Sequence, residues 1–171
     1  MPRVIRPDLI LTAKNGDEKG NSFALTELDS VPGGMGITLW LSRFYSEHGF
    51  DILGGANGIR DGFQNLYPEQ GGRVLVSDES DDYRPEMTWL SDQCENISIH
   101  RAENHDPTDN EESIYRFFEW FDWQNIPNVK KLAQSPHLTP PCKPHLEEKL
   151  WLALLWSPSL RGIWEKELRS N

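Results

Sequence analysis

Apolar and polar positions alternate at two different spacings along the 171-residue chain. Two strand-length apolar runs come first, Arg6-Pro7-Asp8-Leu9-Ile10-Leu11-Thr12 and Ser22-Phe23-Ala24-Leu25-Thr26-Glu27-Leu28-Asp29. The polar stretch between them carries Asn15-Gly16 and Lys19-Gly20, so an antiparallel β-hairpin is predicted. Residues 37–48 then set Ile37, Trp40, Leu41, Phe44 and Tyr45 at helical spacing, with Gly49 as a stop. Residues 50–55 read as a short strand ending in a turn, and 56–67 as a helix with Ile59, Phe63 and Leu66 on one side. Residues 73–77 form the clearest buried strand, 84–94 a helix with Pro85 in its first turn, and 97–100 another strand. The aromatic-rich residues 114–121 read as a final strand passing into a helix, and 129–134 as a short helix. This alternation predicts an α/β fold, a mostly parallel sheet with flanking helices, preceded by the hairpin.

Residues 135–144 contain Pro136, Pro140, Pro141 and Pro144 and must run extended. After them, residues 145–156 predict a strong helix with Leu150, Trp151, Leu154 and Leu155 as its apolar stripe, and 160–169 a further helix. The expected division is therefore 1–36, the hairpin and Gly-rich loop; 37–134, the α/β body; and 135–171, the Pro-rich link and C-terminal helices.

The hairpin concentrates charge. Side chains alternate faces along a strand, so Arg6 and Asp8 share one face of the first strand and Glu27 and Asp29 one face of the second. If Asp8 lies opposite Glu27, Arg6 lies opposite Asp29, and the four charges meet at the open end. Opposed carboxylates repel unless a cation sits between them. Mg2+ suits that role, since it takes one or two carboxylates plus phosphate oxygens. Three carboxylates against one guanidinium leave a negative cluster, although the same charges could also decorate an ordinary surface hairpin. The following Val31-Pro32-Gly33-Gly34-Met35-Gly36 leads into a helix, and such a loop can offer backbone amides to an anion.

Arg-x-Asp, a hairpin, then Glu-x-Asp followed by Ser30 and Pro32-Gly33 resembles the glutathionylspermidine synthase branch of circularly permuted ATP-grasp ligases. The resemblance implies that Arg6 contacts the terminal phosphate of ATP and that Asp8, Glu27 and Asp29 hold Mg2+. Asp29 stands where that family more often has Asn, which keeps an oxygen ligand and adds a negative charge. Ser30, Gly33 and Gly34 are the accompanying candidates for nucleotide or substrate contacts. The Pro-rich link followed by Lys149-Leu150-Trp151-Leu152-Ala153-Leu154-Leu155-Trp156 is similar to the segment preceding the ATP-clamping region of these ligases. The α/β body between the two anchors is then expected to be pre-ATP-grasp-like. The family's strands bearing ATP-binding lysines have no counterpart here, since Lys130, Lys131, Lys143, Lys149 and Lys166 fall in loops or helices. The expectation is part of a larger ligase, completed by the missing remainder and inactive in isolation.

Composition narrows the alternatives. A net charge of −10 argues against a nucleic-acid backbone as partner, and no apolar run reaches the length of a membrane span. Without a signal-like leader, a cytoplasmic location is expected. Cys94 and Cys142 lack metal-ligand spacing. Asp78, Asp81 and Tyr83 follow a buried strand, where parallel sheets bind ligands, but an acidic solvated loop is the simpler explanation. His100 and His105 lack a third metal ligand. No Ser/His/Asp or Cys/His arrangement points to a nucleophile. Two functions remain: part of an ATP- and Mg2+-dependent ligase joining a small peptide carboxylate to an amine, or a non-catalytic peptide- or partner-binding domain that keeps the ligase fold.

Overall fold

The computed structural model describes residues 3–13, 21–107 and 112–169, and the chain divides into two compact units. One contains Ile5–Ser30 and Lys143–Asn171, the other Met1–Val4 and Val31–Cys142.

In the first unit, β1 (Arg6–Ala13) and β2 (Asn21–Asp29) form the predicted antiparallel hairpin; the turn residues 14–20 lie outside the described residues. The register pairs Arg6 with Asp29, Pro7 with Leu28 and Asp8 with Glu27, then shifts so that Leu9 faces Leu25 and Leu11 faces Phe23. The shift is a β-bulge with Thr26 as the extra residue, and the Thr26 hydroxyl donates to the Asp8 carbonyl at 3.0 Å.

The second unit is the α/β body. Its helices α1 (Met35–Glu47), α2 (Gly58–Gln64), α3 (Arg84–Asp92) and α4 (Val129–Leu132) accompany strands β3 (Gly72–Val76), β4 (Ile97–Arg101), β5 (Ser113–Phe117) and β6 (Leu138–Thr139). The sheet order is β4-β3-β5-β6 and every pair is parallel. Val74, Leu75 and Val76 in the central strand are fully buried because both faces of the sheet are covered. On one face Val74, Val76, Tyr115 and Phe117 pack with Leu39, Phe63, Met87 and Leu90. On the other, Leu75, Ile114 and Phe118 pack with Ile126, Val129 and Leu132.

Several local expectations change. Residues 50–55 form no strand: Gly54 and Gly55 both adopt positive φ, 82° and 71°, which turns the chain. The helix expected to follow the aromatic strand is a 3-10 turn, Trp120–Asn125, closed by a reciprocal Glu119–Asp122 capping box. The Pro-rich link contributes the two-residue edge strand β6, where a missing N–H is tolerated. Back in the hairpin's unit, the strong helix expected over 145–156 shrinks to α5 (Leu150–Leu155) behind a 3-10 turn at Pro144–Leu146; α6 (Arg161–Arg169) follows. In α1 the apolar stripe does not mark the buried side. Gly36, Leu39 and Ser42 face inward, whereas Trp40, Phe44 and Tyr45 are exposed, with the Trp40 and Phe44 rings stacked at 5.6 Å.

Candidate functional site

The hairpin register brings Arg6, Asp8, Glu27 and Asp29 to one face at the open end of the two strands. Arg6 bridges both aspartates, its Nε 2.9 Å from Asp8 Oδ1 and its Nη2 3.2 Å from Asp29 Oδ2. A fifth charge joins them: Lys149 Nζ lies 2.7 Å from Glu27 Oε1. The sequence shows Lys149 only as one of the lysines in loops or helices. Only the fold carries it to Glu27, and its position at the start of α5 offered no local signal. The corner therefore holds three carboxylates and two cations, a smaller excess of negative charge than one guanidinium alone would leave.

These contacts define what a metal would meet. No three His, Cys, Asp or Glu side chains converge to hold a metal ion among the described residues. Asp8 and Glu27 face each other directly, and two carboxylates are a fitting set for Mg2+ when phosphate oxygens complete the coordination. Each of the two is already held by a cation, Asp8 by Arg6 and Glu27 by Lys149.

The loop after the hairpin behaves differently from its sequence expectation. Gly34 has a left-handed backbone, φ 83°, and its N–H donates to Glu86 Oε1 at 2.6 Å, while the Ile37 N–H donates to Glu86 Oε2 at 3.3 Å. A carboxylate from α3 therefore already takes amides at the start of α1. The glycines around it serve close packing. A Cβ on Gly33 would sit 2.5 Å from the Tyr83 ring, and one on Gly36 would sit 2.4 Å from the Glu86 carbonyl oxygen. Ser30, at the end of β2, is buried, and its hydroxyl has no hydrogen-bond partner among the described residues.

At the carboxyl end of the parallel sheet the acidic residues are structural. Asp78 pairs with Arg101, and Asp81 with Arg84, whose guanidinium holds the Asp81 carboxyl below the usual range. Ser77 Oγ donates to the buried Asp122 carboxylate at 2.9 Å, and the Glu119 N–H donates to the same oxygen at 3.1 Å. His105 is buried, its Nε2 has no hydrogen-bond partner among the described residues, and burial, aided by Arg73 and His100, pushes its pKa down. His100 is held down by partial burial and by Arg73, with Ser98 Oγ 2.9 Å from its Nε2. A polar groove of 620 Å3 beside Gln64 and Tyr67 is crossed by a pair of bonds, Glu95 N–H to Gln64 Oε1 at 2.6 Å and Gln64 Nε2 to the Glu95 carbonyl at 3.3 Å. No helix among the described residues is long and apolar enough to cross a membrane.

Comparison with family models, curated proteins and solved structures finds no match for this chain, so the charged hairpin corner stands on its own geometry.

Proposed function

We propose that the chain is part of an ATP- and Mg2+-dependent carboxylate–amine ligase of the glutathionylspermidine synthase type, with the hairpin as one wall of the nucleotide site. The observation that supports this reading is the register, which pairs Arg6 with Asp29 and Asp8 with Glu27 on one face. In this reading Asp8 and Glu27 hold the metal together with phosphate oxygens, Asp29 anchors Arg6, and Arg6 contacts the terminal phosphate. Since Glu86 occupies the Gly34 and Ile37 amides, Gly33 and Gly34 shape the loop, and phosphate contact falls to Arg6, whose strand partner Asp29 precedes Ser30. Bound Mg2+ supplies charge neutralisation on the phosphate oxygens. Arg6 orients the terminal phosphate and stabilises the charge that develops on it. The substrates are a small peptide carboxylate and an amine; the remainder of the ligase supplies the missing lysines, and an ATP-consuming reaction suits the cytoplasm.

Calorimetric titration of the 171-residue chain with Mg2+ and ADP tests the reading. Weak binding is expected, lost in Arg6→Ala and in Asp8→Asn, with no ATP turnover by the chain alone. Binding that survives both substitutions, or ATP hydrolysis above background by the pure chain, sinks it.

A non-catalytic partner-binding domain is the second reading, and the exposed aromatic face of α1 favours it. Trp40→Ser should abolish partner capture in that case and leave nucleotide binding untouched in the first.

A further inference from the structure

We propose that the aromatic face of α1 is a self-association surface, covered in solution by the same face of a second copy of this chain. The inference goes beyond the ligase reading and does not depend on it.

α1 is an amphipathic helix turned inside out. Its inward side is Gly36, Leu39 and Ser42, while Ile37, Trp40, Leu41, Phe44 and Tyr45 are exposed. The exposed rings form one continuous row. Trp40 stacks on Phe44 at 5.6 Å, Phe44 meets Tyr45 edge-on at 5.7 Å and His48 at 4.2 Å, and Tyr45 meets Phe50 edge-on at 5.5 Å. Phe50 joins the row because Gly49, at φ 83°, folds the chain back after the helix. The Gly49 N–H donates to the Ser46 carbonyl and the Phe50 N–H to the Tyr45 carbonyl, both at 3.1 Å. Phe50 itself is 60% exposed. Half-exposed rings leave about 100 Å2 each in water, so the row with Ile37 and Leu41 presents on the order of 600 Å2 of apolar surface. A contiguous patch of that size is at the upper end of what a monomer leaves exposed, and a standard interface takes about 800 Å2 from each partner.

Charge selects the occupant. The chain carries a net charge of −10, so two copies repel and meet most easily where neither is charged. Between Ile37 and Phe50 the only Asp, Glu, Lys or Arg residues are Arg43 and Glu47. Arg43 is turned toward the body, donating to Asn57 and Gln93 and lying over the Trp89 ring. Glu47 borders the row at its C-terminal end. A two-fold axis beside Phe44 runs the two helices antiparallel, sets Ile37 of one protomer against Tyr45 and Phe50 of its partner, and keeps the two Glu47 carboxylates at opposite ends. A partner chosen by opposite charge would find no charge on this face to read.

Sedimentation velocity of the 171-residue chain, from micromolar to near-millimolar concentration and at low and high salt, tests this. A dimer forming at tens of micromolar is expected, tightening as salt screens the repulsion between protomers. Trp40→Ser and Phe44→Glu should each weaken it at least about tenfold, as loss of a buried aromatic anchor does. Phe121→Ser, which removes a 72% exposed ring elsewhere on the α/β body, should change nothing. Phe44→Lys should weaken the dimer as Phe44→Glu does, and mixing the two should restore it, which a folding defect would not. Melting temperatures of the dilute variants should match the wild type's. A chain that stays monomeric throughout overturns the inference and leaves the face to another occupant, the remainder of a longer chain or a foreign protein. A dimer indifferent to Trp40→Ser and Phe44→Glu, or one that dissociates as salt rises, overturns it too. None of these outcomes touches Mg2+–ADP binding, so the ligase reading stands or falls separately.

Discussion

Glu86 lies across the start of α1, its two carboxylate oxygens accepting the N–H groups of Gly34 at 2.6 Å and Ile37 at 3.3 Å. The side chain comes from α3, so it works as a cap borrowed from a neighbouring helix. A negative charge at this end also opposes the positive end of the helix dipole. Glu86→Ala should cost about 1 kcal/mol, the usual scale for a lost N-terminal cap, and Glu86→Gln less because an acceptor remains. Thermal melts of the two variants against the wild type measure this directly. Equal stability in all three would mean that water caps the helix as well as Glu86 does.

Two glycines separate close packing from mere flexibility. A methyl group on Gly36 would press into the Glu86 carbonyl, which is backbone and cannot step aside. Gly36→Ala should therefore destabilise by roughly 1–3 kcal/mol, as overpacking does. Gly62, inside α2, has open space where its Cβ would go. Gly62→Ala should stabilise by about 0.5–1 kcal/mol through the unfolded chain. Urea midpoints of the two variants should move in opposite directions.

His105 makes stability depend on acidity. Burial is the main cause of its lowered pKa, reinforced by Arg73 and His100 and opposed by Asp106. As pH falls through about 6.5, the unfolded chain takes up a proton that the folded chain refuses. Stability should therefore decline below that pH and continue to decline until the folded-state pKa is reached. Above it, this group contributes no slope. His100, shifted the same way by burial and Arg73 and resisted by Glu112, adds to the effect. Urea denaturation from pH 7.5 to 5.5 should show the fall, and His105→Gln should flatten it; an unchanged slope would assign the effect elsewhere.

Arg6 spans two aspartates that a single lysine ammonium cannot serve with the same geometry. Both Arg6 and Asp8 are substantially exposed, so Arg6→Lys should cost less than about 1 kcal/mol of global stability. Its effect should appear locally, as faster amide exchange near Asp8 and Leu28. A large drop in melting temperature would show that the bridge matters far beyond the strand ends.

Spacing made the sheet and the hairpin readable for specific reasons. Val74-Leu75-Val76 is buried on both faces and could hardly be anything but a central strand. The pairing of Asp8 with Glu27 followed from two strands of opposite direction and one assumed register. What stayed hidden depends on distant partners. Trp40 and Phe44 lie on the exposed side of α1 because the small Gly36 and Ser42 permit a close approach on the other, and an apolar stripe cannot reveal that choice. Glu86 and Lys149 look like ordinary helix charges until the fold sets them against Gly34 and Glu27. The shortening of the helix over 145–156 also escaped periodicity, which detects a repeat and not the 3-10 turn at Pro144–Leu146.

Thr26 governs the parity of the hairpin. Phe23, Leu25, Glu27 and Asp29 are all odd-numbered, and strict alternation along β2 would send the four side chains the same way. The supernumerary residue breaks that count. Glu27 and Asp29 keep step with Asp8 and Arg6, while Leu25 and Phe23 keep step with Leu9 and Leu11. One strand thus spells two messages, an ionic one before the phase change and an oily one after it. Deleting Thr26 would preserve both sets of partners in a regular ladder. Deleting Leu28 instead would throw Asp29 out of phase with Glu27 and put a leucine-sized gap into the spelling of the charged end. Among single-residue losses in this strand, that of Thr26 is the one that keeps both sets of partners opposite each other.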